Sequence, residues 1–160
     1  MTEVRTIEPD HSRSSELHIG VVAARWNGSI TDRLVEGAVG HLEAQGVGTV
    51  TVLRVPGSLE LPIGARALAR SGCQAVVALG TIVKGDTDHY AIVSQESARG
   101  LTLVAHEEGI PVTNGVLAVH DIAHAVERAQ PGPSNKGVEA AGAAIETALL
   151  LLAAREPMPT

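Results

Sequence analysis

Apolar residues along this chain fall into two kinds of cluster: short unbroken runs, and longer stretches where they recur every three or four positions. The short runs, at residues 17–24, 47–55, 74–79 and 110–117, predict four strands. Between the first two, residues 30–45 carry Ile30, Leu34, Val35, Ala38, Val39 and Leu42 at helical spacing, with Gly46 as a natural stop. Residues 58–70 predict a second helix whose start lies near Leu59 to Leu61, because Pro62 suits only a first turn. A long third helix is expected over 89–108 and a short fourth over 120–129. The segment Gln130-Pro-Gly-Pro-Ser134 breaks the pattern before an alanine-rich helix over 136–155. Residues 1–16 are polar and read as an arm or tail, 17–155 as one α/β domain, and 156–160 as a C-terminal tail.

The strand runs are apolar nearly throughout rather than alternating. Strands of that kind are buried on both faces, which implies a parallel sheet covered by helices on both sides. The expected architecture is a three-layer, flavodoxin-like α/β fold with strand order 2-1-3-4, given right-handed crossovers.

Composition changes this picture in a few places. The 160 residues contain no Phe, one Trp and one Tyr, so Val, Leu, Ile and Ala must fill the core, and seventeen glycines suggest close approach of helices to the sheet. A net charge of −6 with no basic cluster argues against nucleic-acid binding. Cys73 stands alone, which excludes an intramolecular disulfide and a cysteine-rich metal site and fits a reducing cytoplasm. The first ten residues lack signal-peptide character, and the longest apolar stretch, 148–154, is too short to span a bilayer, so a soluble, cytoplasmic protein is expected.

Candidate chemistry gathers where strands end, the place where open α/β sheets bind ligands. The segment from Gly80 to Tyr90 follows the third strand and contains Lys84, Gly85, Asp86, Thr87 and His89. A glycine turn before a helix N-terminus suits an anion, and an imidazole beside it suits proton transfer. The plainer alternative is a surface turn with an incidental histidine. Trp26, after the first strand, is either a stacking platform for a flat heteroaromatic ring or a cap on the core. Ser58 and Glu60 read first as a helix cap with a dipole-friendly acid, and second as groups that bind hydroxyls.

Asn114-Gly115 lies inside the fourth strand, where glycine marks close backbone approach or a bulge. Arg128 is suited to grip phosphate with its guanidinium fork, although it and Lys136 also read as solvated helix-end residues. The remaining histidines show no metal-ligand spacing, and neither GxGxxG nor GxxxxGK[ST] occurs, so no metal, nucleotide triphosphate or dinucleotide is indicated.

Taken in order, these segments resemble the 6,7-dimethyl-8-ribityllumazine synthase family of riboflavin biosynthesis. The likeness covers residues 21–150 and rests on Arg25-Trp-Asn27 with Ile30-Thr31, Val55-Pro-Gly-Ser-Leu-Glu-Leu-Pro62 and Ala78-Leu-Gly-Thr-Ile-Val-Lys-Gly-Asp-Thr-Asp-His-Tyr90. It continues through Asn114-Gly-Val-Leu117, Glu127-Arg-Ala129 and Asn135-Lys-Gly137. The resemblance implies a cofactor-free condensation of 5-amino-6-(D-ribitylamino)uracil with 3,4-dihydroxy-2-butanone 4-phosphate, through an imine, phosphate elimination and ring closure. It implies His89 as the general acid/base and Trp26 as the aromatic stacker. Ser58 and Glu60 match the positions that hold the ribityl chain, Ile82 and Val83 would contact the ring through backbone groups, and Leu59, Gly80 and Thr81 belong to the same substrate-binding set. Gly85, Asp86 and Thr87 match the phosphate turn, with Arg128 as its cationic partner and Asn114 and Lys136 also at the site. No metal is implied.

The chain departs from the family pattern in five places. Trp26 stands for the usual Phe, Lys84 for Arg, Asp88 for Pro or Thr, Asn114 for a frequent Phe, and Ala118-Val-His120 for a turn containing Thr-Thr. The resemblance also implies homopentamers with sites shared between neighbouring subunits, which some members assemble twelvefold into a hollow icosahedral cage. Asn114, Arg128 and Lys136 would then complete a neighbour's site, and the N-terminal arm would extend a neighbour's sheet. A non-catalytic member that binds flavin or lumazine, or builds a shell, is the alternative.

Overall fold

Four parallel strands lie in the order β2-β1-β3-β4 in a computed structural model that describes residues 1–157. The elements run β1 (His18–Ala24), α1 (Gly28–Ala44), β2 (Thr49–Val55), α2 (Leu61–Arg70), β3 (Ala75–Val83) and α3 (His89–Glu108). They continue with β4 (Val112–Val119), α4 (Ile122–Arg128) and α5 (Lys136–Arg155). The three layers and the strand order are those the hydrophobic pattern implies.

The unbroken apolar runs have a direct cause. Successive side chains of a strand point to opposite faces. In β1, Ile19, Val21 and Ala23 enter a core beneath α1, α4 and α5, while Val22 and Ala24 enter a second core beneath α2 and α3. With no phenylalanine to fill space, the helices come close. On α5 the buried stripe is Gly137, Ala140, Ala141, Ala144, Ile145, Ala148 and Leu149. A Cβ on Gly137 would lie 2.0 Å from the Leu34 carbonyl oxygen of α1, so only glycine fits at that crossing.

One expectation needs correction. The third and fourth strands run past their expected ends, to Val83 and Val119, so Gly80–Val83 is strand and not junction. Glycine usually punctuates a strand, but Gly80 is buried and the apolar residues after it pair with β4 in register, Gly80 with Val116 and Val83 with Val119. The apolar heptad at 148–154 is short, and the 20-residue α5 that contains it has an 18-residue window of mean hydropathy 1.6, enough to cross a membrane by length and composition. Its buried stripe is spent on α1 and the sheet, as in a core helix.

The N-terminal segment divides in two. Residues 11–16 form a 3₁₀ turn capped by Asp10, whose carboxylate accepts from the Ser12 amide, and Arg13 ties the turn to Glu16 and to Glu156 beyond α5. The ten residues before that turn form no helix or strand and are mostly exposed. The C-terminal tail expected over 156–160 lies partly outside the described residues.

Candidate active site

Parallel register places the ends of β1, β2 and β3 side by side. Ala24 pairs with Val55, and the chain just beyond stays linked: the Arg25 amide donates to the Val55 carbonyl at 2.8 Å and the Trp26 amide to the Pro56 carbonyl at 3.1 Å. Trp26 is therefore held over Gly57. β3 is longer than its neighbour, and its pairing with β1 ends at Leu79, so the backbone edge of Gly80–Val83 that faces β1 is left open. This is the topological switch point of the sheet, since β1 connects through α1 to β2 on one side while β3 lies on the other.

A cavity of about 300 Å³ opens there, lined by Trp26, Ser58, Leu59, Glu60, Thr81, Ile82, Val83 and His89, with Ala24, Asn27 and Val93 completing the wall. Eight of the sequence candidates thus converge from four segments. Trp26 is 66% exposed, which removes the core-cap alternative and leaves a ring face available. Ser58 is buried, and Gly80 lies directly behind it rather than on the cavity wall.

Glu60 does part of what the capping alternative asked: its carboxylate accepts from the Gly57 amide at 2.9 Å. Its second oxygen has no donor among the described residues. The carboxylate is only half-buried at the cavity wall, where it can also accept from a hydroxyl.

His89 is the first residue of α3, and its backbone amide points at the Thr87 hydroxyl at 3.4 Å. Gly85, Asp86 and Thr87 form an exposed rim just outside the cavity. Asp88 is the N-cap residue in αR conformation and makes no side-chain cap, so the first-turn amides of α3 are not quenched by it. The rim is pinned at both ends. The Lys84 amide donates to the Val119 carbonyl at 2.9 Å, and Tyr90 meets His120 edge to face with ring centroids 5.7 Å apart.

Asn114, Arg128 and Lys136 are not brought to this cavity. They line a separate cleft of about 470 Å³ along the outer edge of β4, with Glu139. Within the chain their polar groups are occupied locally: Asn114 accepts from the Val116 amide at 3.0 Å, Arg128 donates to the His124 carbonyl at 3.0 Å, and Lys136 pairs with Glu139 at 2.7 Å.

Asn27 is a contributor the sequence reading passed over. It is the one non-glycine residue with positive φ among the described residues, at 57°, and its side-chain amide donates to the Thr81 carbonyl at 2.8 Å, tying the loop after β1 to the open edge of β3. Asn tolerates that left-handed conformation better than most residues, and the Asn-Gly pair was the available signal. Thr31 of α1 supports the same joint through a buried contact between its hydroxyl and that of Thr81 at 3.2 Å. No group of His, Cys, Asp and Glu among the described residues is arranged to hold a metal. Cys73 is buried, and burial pushes its thiol up.

The family model for 6,7-dimethyl-8-ribityllumazine synthase matches residues 16–151. Proteins of that name from Kineococcus radiotolerans and Clavibacter michiganensis are 47% and 46% identical to the chain, over 86% and 93% of its length and 86% and 94% of theirs. One from the archaeon Thermococcus kodakarensis is 43% identical over 96% of this chain and 98% of its own. By its motifs, its fold and these relatives, the chain belongs to the 6,7-dimethyl-8-ribityllumazine synthase family, transferases of riboflavin biosynthesis.

Proposed function

We propose that this protein condenses 5-amino-6-(D-ribitylamino)uracil with 3,4-dihydroxy-2-butanone 4-phosphate to give 6,7-dimethyl-8-ribityllumazine, inorganic phosphate and water. The observation that carries this reading is the single cavity in which Trp26, Ser58, Glu60, the open edge of β3 and His89 meet. A flat pyrimidinedione fits against the indole, with its polar edge toward the edge of β3 at Gly80–Val83 that β1 leaves open. The ribityl hydroxyls run toward Ser58 and Glu60. The phosphate of the second substrate sits over Gly85, Asp86 and Thr87 at the N-terminus of α3, where helix amides and the helix dipole favour an anion.

The 5-amino group attacks the ketone and water leaves to form the imine. A proton is then removed beside the imine carbon as the phosphate leaves, and the ribitylamino nitrogen closes the second ring with loss of a further water. His89 is placed to move these protons, a role that contributes ~10²–10⁴ in rate. Orientation of two already reactive substrates contributes the rest.

The separation of Arg128, Asn114 and Lys136 from the cavity supports a site completed by a neighbouring copy. A cationic fork along the edge of β4 can reach a phosphate only when another subunit's turn is brought to it. We infer assembly with further copies on that basis; the family resemblance implies homopentamers, with the cage of twelve pentamers as the larger assembly that light scattering and electron microscopy distinguish. A lone buried thiol supports a reducing cytoplasm as the setting.

The test is to mix both substrates with the protein and follow lumazine absorbance and fluorescence. Product must appear faster than in the uncatalysed mixture. Lumazine binding without any acceleration would make the protein a non-catalytic member instead.

A further inference from the structure

We propose that Gly57 is a positioning residue for Trp26: its missing side chain makes the seat that sets the indole across the floor of the cavity, and Glu60 holds that seat in place. The backbone does not require glycine there, since φ is −140° and ψ −177°, an extended conformation any residue adopts. Space requires it. A Cβ on Gly57 would lie 2.5 Å from Cζ3 and 2.6 Å from Cε3 of the indole, and 3.1 Å from Oε2 of Glu60. The six-membered half of the ring therefore occupies the volume a side chain would fill.

The seat cannot retreat from the ring. The Gly57 amide donates to Glu60 Oε2 at 2.9 Å, the Glu60 amide donates back to the Gly57 carbonyl at 3.2 Å, and the neighbouring Pro56 carbonyl accepts from both Arg25 and Trp26. The indole can, because two thirds of its surface is exposed. A methyl group at position 57 therefore tips the ring out of place and leaves the fold intact. Glu60 gains a second task, fixing the plane of the stacker as well as meeting hydroxyls.

This inference rests on the reading of Trp26 as the platform for the pyrimidine, and the experiment separates the two. Trp26 is the chain's sole tryptophan, so intrinsic emission reports this ring alone. In the full-length protein, Gly57→Ala is expected to shift emission to the red and to increase quenching by acrylamide, with the unfolding midpoint close to wild type. The KM for the pyrimidine rises about tenfold, while kcat and the KM for the phosphate substrate stay within about twofold.

In a Trp26→Phe background the same Gly57→Ala change should raise the pyrimidine KM less than about twofold, since the smaller ring leaves the seat free. Unchanged emission and quenching in Gly57→Ala, or an equal effect on KM in both backgrounds, overturns the proposal. If Gly57→Ala does not fold, the double variant decides: a folded double variant supports the seat, and a second failure to fold overturns it by making glycine a backbone requirement. Should the wild-type protein form no lumazine, the catalytic reading fails, while emission and quenching still test the contact between Gly57 and Trp26.

Discussion

Replacing Asn135 by alanine should destabilise the protein by about 3 kcal/mol while leaving its chemistry intact. Asn135 is 1% exposed and opens the Asn-Lys-Gly segment that the resemblance associates with the site. Its side chain makes four hydrogen bonds. The Oδ1 atom accepts from the amides of Gly137 and Val138 at 2.8 and 3.3 Å, which caps α5, and Nδ2 donates to the carbonyls of Ala129 and Arg33 at 3.1 and 3.3 Å. Loss of an N-cap costs about 1 kcal/mol, the buried Ala129 carbonyl left without its donor about 1–2 more, and the part-buried Arg33 carbonyl within α1 a smaller share. The sum is a large share of the 5–15 kcal/mol that holds a typical domain together. Urea unfolding followed by circular dichroism, at one fixed protein concentration, measures it.

Asn135→Asp keeps the cap but turns a carboxylate toward two carbonyls, so it should fare no better than alanine. Lys136→Ala is the internal control: its exposed pair with Glu139 is worth at most about 0.5 kcal/mol. An Asn135→Ala protein within about 1 kcal/mol of wild type would refute the reasoning and return the residue to the substrate.

Three further outcomes follow from the geometry. His89→Ala should lower kcat by about 10²–10⁴, read as lumazine formation, without changing particle size in light scattering, because the side chain is exposed on the first turn of α3 and holds nothing else. Arg128→Ala should raise the KM of the phosphate substrate about tenfold or more and spare the pyrimidine, as loss of one charge-assisted contact predicts. Acid should loosen residues 10–17. A hydrogen bond from Arg13 holds the Glu16 carboxyl below its ordinary value, and the Ser12 hydroxyl and amide do the same for Asp10. Their contribution is present above the ordinary carboxyl range and is lost as pH falls through the lowered values, so amide exchange there should be faster at pH 3 than at pH 7 after correction for intrinsic rates.

The layers and strand order were legible because they follow from one-dimensional information. Unbroken apolar runs can only be strands covered on both faces, and right-handed crossovers leave few orders for four of them. Strand ends were less so. Gly80 carries the local signature of a stop, yet it continues the strand because Ser58, twenty-two positions earlier, packs over its bare Cα. Asn27 was hidden for a related reason: its importance lies in reaching the Thr81 carbonyl across the gap that a longer β3 creates. Each of these is a tertiary fact about which strand outruns which.

The candidate site divides along the same line. Trp26, Ser58, Glu60 and His89 follow strand ends that parallel register must bring together, so their meeting is a consequence of the fold. Arg128 follows the edge strand β4, and no register within one chain carries it to the turn at Gly85. A phosphate-binding fork stranded at a sheet edge is ill placed for chemistry on its own chain. It is well placed to act on a neighbour, because an edge is where another copy can approach. On the proposed reading, the order β2-β1-β3-β4 splits the phosphate site, with the turn at Gly85 after a central strand and Arg128 after the edge strand. If a neighbouring copy supplies that cation, assembly is a condition for binding the second substrate, and dilution below the association threshold should raise its KM before it affects the pyrimidine.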